Sequence, residues 1–390
     1  MRVQVDATGW AIAAGHPPIV STRDTRPGAP DTLTAHSRHT CTAHPARAPT
    51  LYRVSRVLAV LAVLGCAAVA AVLTWPQAFG LQQEWIISHV VALRGLAVVA
   101  AVACCVLLAL VVATHQLRRF SVALILVLVA YAAANSAVVA FRGVTGTTAS
   151  SGPETITVLS WNTLGEVPDA ATIAQLALET GADIVSLPET TEPLGEEVAI
   201  AMREGGNPMW VNTIAFDVIA KARSTTLLIS PDLGDYEVVS AVGTGPPGNT
   251  NTLPTVVAQP VDGDGPVIVA AHAVAPIRWE MRNWRSDLEW LATQCTADSV
   301  IMAGDFNATV DHFAGLGSDG GDLGRCSDAA NQADAAGLGT WPTDLPALLG
   351  SPIDHVLATP DWRVVGFEVL GEFDDSGSDH RPIVAELAQR

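Results

Sequence analysis

Asp305 and Asn307 stand at the end of the apolar run Val300–Ala303, with Gly304 between the run and the carboxylate. A carboxylate that orients or deprotonates a water, beside a neutral amide that holds an oxyanion, suits hydrolysis of a phosphate ester. The run itself reads as a buried strand. Gly304 permits a tight turn, and on an extended chain residues two apart share a face. An ordinary strand-to-loop turn can carry the same residues, so this pair alone decides nothing.

The same arrangement recurs along the C-terminal part of the chain. Asn162 follows Val158-Leu159-Ser160-Trp161, Glu189 follows Ile184-Val185-Ser186-Leu187-Pro188, and His272 ends Val267-Ile268-Val269-Ala270-Ala271. Asp354 and His355 interrupt Ile353–Leu357, and Ser378-Asp379-His380 precede the last apolar run. Singly, each has a plain structural explanation: Asn162 as a turn cap, Glu189 as a solvated charge, a histidine as a core residue. Repetition of strand followed by carboxylate, amide or imidazole is what a hydrophobic core does not need.

The elements that must carry these residues are mostly strands. Apolar, strand-like runs fall at Ile156–Ser160, Ile184–Leu187, Thr226–Ile229, Thr255–Gln259, Val267–His272, Val300–Ala303, Ile353–Ala358, Val364–Leu370 and Ile383–Leu387. Helical spacing appears at Ala170–Thr180, closed by Gly181, and at Arg282–Thr293. Many strands with few helices indicate an α+β domain of packed sheets covered by helices.

Charge and hydropathy divide the 390 residues. Residues 1–150 hold 11 Arg, no Lys and 4 acidic residues, a formal +7; residues 151–390 hold 10 basic and 35 acidic residues, a formal −25. The acidic domain is long enough to bury its own core, and its sign disfavours a broad electrostatic grip on nucleic acid. Residues 1–52 are rich in Pro, Thr, Ala, His and Arg without periodicity, which indicates a disordered tail; a start nearer Tyr52 would remove it. Residues 53–142 contain three apolar stretches, Val57–Leu73, Ile86–Ala113 and Val122–Phe141, each near the ~20 residues of a membrane span.

Arg53 and Arg56 precede the first stretch and Arg118 and Arg119 lie between the second and third, while the first loop, Thr74–Trp85, has no Lys or Arg. The positive-inside rule then places the N-terminus in the cytoplasm and everything after Phe141 outside the cell membrane, with Trp75 and Trp85 as interfacial anchors. Arg94 reads as snorkelling or pairing near the outer surface. Residues 143–153, small and polar, read as a flexible tether, and the catalytic candidate occupies 154–390.

Residues 154–390 resemble the endonuclease/exonuclease/phosphatase superfamily, whose fold is deoxyribonuclease-I-like. The resemblance rests on Ser160-Trp161-Asn162, Leu187-Pro188-Glu189, Gly304-Asp305-Phe306-Asn307, Ile353-Asp354-His355-Val356 and Ser378-Asp379-His380-Arg381-Pro382, in the family's order. It implies a four-layer α/β/β/α sandwich, here preceded by three transmembrane helices. It further implies Glu189, Asp379 and Asn162 as metal-binding residues, Asn162 and Asn307 at the substrate phosphate, Asp305 as the group that orients or deprotonates water, and His380 facing the phosphate. By the same resemblance Asp354 orients His380, and His272 protonates the leaving group or binds a phosphoryl oxygen. Hard carboxylate oxygens suit Mg²⁺ or Mn²⁺. Pro188 stands where the family commonly has glutamine.

The function expected is a membrane-tethered, outward-facing, divalent-metal-dependent phosphoesterase. Its partners would be the bilayer and a phosphate-ester substrate, either nucleic acid or a lipid headgroup, with no obligate protein partner evident. A non-catalytic metal-binding scaffold is the alternative of another class; a transporter is disfavoured by three spans whose one charged residue is Arg94. Arg278, Arg282 and Arg285 are expected on one solvated helix face, paired with Asp287 and Glu289, with contact to a phosphate-bearing substrate as the other reading. Cys295 and Cys326 lie in the domain placed outside, where a disulfide can form; two separately buried thiols are the other reading.

Overall fold

The computed structural model describes residues 48–112, 114, 117–147, 155–217, 219–240 and 245–390. The expected tail therefore lies outside the described residues up to 47, and its last residues already belong to a helix. The N-terminal helices are α1 (Ala48–Thr74), α2 (Trp85–Ala92), α3 (Arg94–Val112) and α4 (Arg118–Phe141). Val54–Thr74, α3 and α4 are long and apolar enough to cross a membrane, with mean hydropathies of 2.7, 3.0 and 2.3. The stretch expected as one span from Ile86 to Ala113 is broken at Leu93, where φ −106° and ψ 50° leave the helical region. At 1.5 Å per residue the 19 residues of α3 alone reach roughly 28 Å, close to the ~30 Å hydrocarbon core.

The rest of the chain runs β1 (Thr155–Ser160), α5 (Ala170–Thr180), β2 (Ile184–Pro188), α6 (Glu192–Glu204), β3 (Trp210–Ala215), β4 (Ser224–Ile229), β5 (Tyr236–Val238), β6 (Val256–Pro260) and β7 (Val267–His272). It continues through α7 (Met281–Gln294), β8 (Val300–Asp305), β9 (Ser327–Asp328), α8 (Ala329–Gln332), β10 (Asp354–Ala358), β11 (Trp362–Val369) and β12 (Ile383–Gln389). Two six-stranded mixed sheets result, ordered β11-β12-β1-β2-β4-β3 and β5-β6-β7-β8-β10-β9.

The sheets pack face to face because their strands are apolar on both sides. Val158, Ile184, Leu227, Ile268, Ile301 and Val356 fill the layer between the sheets. Their neighbours in sequence point the other way: Leu159, Val185 and Leu228 meet Ile173 and Leu176 of α5 and Val198 and Met202 of α6. On the opposite side Val269, Met302 and Leu357 meet Trp284, Leu288 and Leu291 of α7. The period-2 alternation of side chains thus builds the four layers. Burying a Leu or Ile at such a position contributes about 1.5–3 kcal/mol.

Each sheet contains one parallel pair, β1–β2 and β7–β8. Parallel neighbours require a crossover, supplied by α5 and α7, so both strands of each pair end at the same edge. The antiparallel partners then begin there: Asp354 opens β10 opposite Asp305, and Ile383 opens β12 opposite Ser160. The ends of β1, β2, β7 and β8 and the starts of β4, β6, β10 and β12 therefore converge at one edge. The apolar runs of the sequence locate most of these strands within two residues; α6, β3, β5, β9 and α8 have no counterpart in the sequence reading.

Cys295 and Cys326 form a disulfide at the far end of α7. Gly143–Thr147, expected within a free tether, is docked: Asp334 O accepts from the N–H groups of Thr145 and Gly146, and Thr147 pairs with Phe367. Residues 148–154 lie outside the described residues.

Candidate active site

Asp305 ends β8, almost wholly buried, and its carboxylate is held by three donated hydrogen bonds. Oδ1 accepts from the Asn307 backbone N–H at 2.8 Å, while Oδ2 accepts from the side-chain amides of Asn162 at 3.0 Å and Asn307 at 3.1 Å. Asn307 has φ 47°, so the two residues meet through a turn closed by the Asp305 side chain and not, as expected, through the alternation of an extended strand. Gly304 has a different role from the one expected. It lies in the strand, and a Cβ there would fall 1.9 Å from the carbonyl oxygen of Ala271 on β7, so the two parallel strands can approach only with glycine.

His380 precedes β12 and is also buried. Its Nδ1 lies 2.9 Å from Asp354 Oδ2, and its Nε2 lies 3.8 Å from Asp305 Oδ2 and 3.9 Å from Asp379 Oδ1. Burial works against a charged imidazole here, yet Asp354, Asp305 and Asp379 outweigh it and push its pKa up to about 10. Burial raises Asp305 above the usual carboxylate range, with the His380 charge and the donated hydrogen bonds pulling the other way.

Glu189 follows β2 with φ 62°, a left-handed backbone that turns its side chain back to the sheet edge. Burial raises its pKa, against the hydrogen bond from Asn162 and the charge of His380. The Asn162 Nδ2 group bridges Glu189 Oε1 at 3.2 Å and Asp305 Oδ2, while Asn162 Oδ1 accepts the Leu164 N–H. Asn162, expected at the metal and at the substrate phosphate, presents an amide donor to both carboxylates.

Asp379 is fixed through one oxygen, Oδ2, by the indole N–H of Trp341 at 2.8 Å. Its Oδ1, like Asp354 Oδ1, is buried without a hydrogen-bond partner. Four carboxylates, Glu189, Asp305, Asp354 and Asp379, thus surround the His380 imidazolium, and two of their oxygens are orphaned. Such a donor set fits a hard divalent cation, since unpaired buried carboxylate oxygens are costly. Ligand atoms of Asp305, Asp354 and His380 also lie within 4.8 Å of one another. Within that group His380 Nδ1 and Asp354 Oδ2 already bond each other, and Glu189 and Asp379 bring further carboxylate oxygens to the same edge.

His272 ends β7 and is fully buried; burial and the nearby charge of His380 press its pKa down to about 3, leaving it neutral. A neutral ring can donate a hydrogen bond to a phosphoryl oxygen but is not an imidazolium acid. The amide of Asn307 donates to Ala273 O at 3.0 Å as well as to Asp305. It ties the ends of β7 and β8 together.

Several residues support the site; all but Trp341 stand in the motifs quoted from the sequence, where no role was assigned to them. Trp341 has no sequence signal linking it to Asp379. Ser378 Oγ donates to Asn162 O at 2.7 Å and accepts from the His380 N–H, and Trp161 Nε1 donates to His380 O. Arg381 is buried, pairs with Asp374 and donates to the carbonyls of Gly339, Thr343 and Leu345, fixing the loop that carries Trp341. His355 bridges Asp328 and the Ala308 carbonyl, just beyond Asn307.

The model of the Endonuclease/Exonuclease/phosphatase family matches residues 159–380. The chain belongs to this family. Its members hydrolyse phosphoesters, and enzymes of this fold typically use divalent metals. Similar solved structures include an endonuclease/exonuclease/phosphatase from Beutenbergia cavernae, at 19% identity over 60% of this chain and 72% of that one, TM-score 0.46. A mannosyl-6-phosphatase from Bacteroides thetaiotaomicron aligns at 15% identity over 60% and 99%, TM-score 0.42. An AP endonuclease from Archaeoglobus fulgidus aligns at 16% identity over 59% and 98%, TM-score 0.42. No curated protein matches the chain.

Two of the three arginines expected on a solvated helix face are otherwise engaged, while Arg282 on α7 is exposed. Arg285 donates to the carbonyl of Gln83 and to Glu84, Arg278 lies over the Trp85 ring outside α7, and Asp287 is buried against the Val274 N–H. Of the two roles expected for Arg94, snorkelling or pairing, the structure shows pairing. Arg94 is 5% exposed and pairs with Asp311, which also binds Arg142.

Proposed function

We propose that this chain is a divalent-metal-dependent phosphoester hydrolase, carried on three membrane-spanning helices with its catalytic domain on the outer side. The observation that carries the reading is the convergence of Asp305, His380, Asp354 and Asn162 with the unsatisfied Oδ1 of Asp379 and the buried Glu189 at one sheet edge. Glu189 and Asp379 would hold Mg²⁺ or Mn²⁺, with Asn162 steering Glu189; bound there, the cation offsets charge on a phosphoryl oxygen. Asp305 orients the attacking water and accepts its proton. His380, kept protonated and oriented by Asp354, donates Nε2–H to the phosphoryl group as charge builds on it. His272 adds a neutral donor on the β7 side.

A −25 formal charge on residues 151–390 weighs against tracking a long polyanion. A nuclease acting on short strands and a lipid or small-molecule phosphodiesterase are the two substrate readings. The test is hydrolysis by the full chain in detergent of duplex and single-stranded DNA, RNA, phospholipids and a chromogenic phosphodiester, with Mg²⁺, Mn²⁺ or chelator. Metal-dependent turnover abolished by Asp305→Asn supports the hydrolase. Metal binding by a folded chain with no turnover on any of them would favour the scaffold reading instead.

A further inference from the structure

Three loops leave the candidate active site, and each reaches the end of an anchor helix. The first runs from Asp305 through Asn307 to Asp311, whose carboxylate accepts from Arg94, the first residue of α3, and from Arg142, the residue after α4. The second runs from His272 past Ala273 to Arg278, whose guanidinium lies 5.6 Å from the centroid of the Trp85 ring at the start of α2. The third carries Trp341, bonded to Asp379, and reaches Leu348, whose backbone carbonyl is so close to α3 that a Cβ on Gly95 would fall 1.8 Å from it.

This junction is built. Arg94 Nη1 donates to Thr74 O at the end of α1 and to the Asn135 side chain of α4, so the three spans are joined at the level where Asp311 enters. Gln82 and Gln83 donate to the carbonyls of Ala314 and His312. The catalytic domain is consequently fixed on the anchor. Asp311 is four residue steps beyond Asn307, which limits their separation to about 14 Å. Arg94 opens a helix as long as the hydrocarbon is thick, and the headgroup layer adds only about 5–8 Å beyond it.

The rim carries apolar side chains exposed beyond the fold: Trp279 is 78% exposed and Leu348 51% exposed, the latter beside the start of α3. An acidic domain that keeps a Trp and a Leu exposed next to its membrane helices suits the bilayer interface, where such side chains partition favourably. We propose that the rim of the active site rests on the leaflet from which α3 emerges, and that the phosphoester it takes belongs to a lipid headgroup of that leaflet. This rests on the hydrolase reading above. The anchor then serves as a platform that sets the height of the site, and substrate arrives by lateral diffusion.

The experiment uses the full chain reconstituted in vesicles of phosphatidylcholine and phosphatidylglycerol. Leu348→Trp adds an indole at the rim, and its emission, taken over that of the wild type, is expected to be lost when brominated phosphatidylcholine replaces the ordinary lipid. Turnover of vesicle phosphatidylglycerol is measured beside bis(p-nitrophenyl) phosphate and a short single-stranded DNA. We expect the phospholipid to be hydrolysed, and Leu348→Glu to lower the ratio of phospholipid to soluble-diester turnover about tenfold. Unquenched Leu348→Trp emission overturns the placement whatever the activity. Turnover of the soluble diester or DNA without the phospholipid overturns the substrate assignment and leaves the hydrolase standing. Turnover of none of them, with the rim quenched, removes the hydrolase reading and this inference with it.

Discussion

Two clusters of buried charge lie only a loop apart, and they differ in how completely they are satisfied. At the junction with the anchor, both oxygens of Asp311 accept from Arg94 and Arg142, and Arg94 Nη1 reaches Thr74 O and Asn135. At the sheet edge, three carboxylates, those of Asp305, Asp354 and Asp379, share the His380 imidazolium, and among the described residues Asp354 and Asp379 each keep a buried oxygen without a hydrogen-bond partner. The first cluster is closed and holds parts together. The second is open, and an open set of buried ligands and proton acceptors is where chemistry can be done.

That contrast can be broken most directly at Asp305. Asp305→Asn keeps the volume and the shape but removes the proton acceptor, so turnover should fall about 10²–10⁴-fold with little change in thermal unfolding. If activity survives, the open cluster is not catalytic.

At the closed cluster the effects should be reversed. Asp311→Ala leaves two guanidinium groups buried without a counter-charge, and removing one partner of such a set typically costs about 3–5 kcal/mol. Thermal unfolding of the full chain in detergent should show the loss. An unchanged midpoint would mean the junction is not a fixed contact.

Trp341→Phe sharpens the comparison more gently. It takes the indole donor away from Asp379 Oδ2 while leaving both carboxylate oxygens in place, so Mn²⁺ affinity should weaken by about 10-fold, the lower end of effects seen when a supporting hydrogen bond to a ligand is removed. Calorimetric titration of Mn²⁺ measures it, and unaltered affinity would take Asp379 out of the metal site.

Acidity should separate the clusters with the smallest perturbation. Burial opposes ionisation of Asp311, but Arg142 and Arg94 hold its carboxyl well below the usual range, so the stability it contributes is present above the unfolded pKa of about 3.9 and is lost only as pH falls through the lower folded value. Asp305 is displaced upward, so its ionised form is lost earlier as pH falls. Activity should therefore drop in mildly acidic solution while the domain stays docked. On the alkaline side it should decline toward about 10 as His380 loses its proton, and Asp354→Asn should move that limb to lower pH. Coincident acid loss of activity and of docking would show that the two clusters are not independent.

The strands, the crossover helices α5 and α7, and the polar residues at strand ends were legible in the sequence because each depends on local pattern. Short continuous apolar runs define the strands, and a glycine stop ends α5. The three apolar spans were equally plain from length and composition, apart from the break at Leu93, since a short kinked helix and a long straight one have the same hydropathy. α6 and β3 were missed. Glutamates fill much of α6, and Pro193 and Gly195 near its start obscure the helical pattern, while β3 is an edge strand with only Ile214 of its residues fully covered.

By itself, the sequence determined which residue types reach the sheet edge, because the period of a strand and the end of a crossover are set locally. Only the tertiary structure decided what those residues do to one another. The Asp305–Asn307 turn, the amide of Asn162 aimed at two carboxylates, the Trp341 indole on Asp379 and the Arg94–Asp311–Arg142 junction all depend on how the folded chain brings its parts together. Hydrogen-bond direction, burial and shared charge are properties of such assembled neighbourhoods, and the linear chain does not contain them.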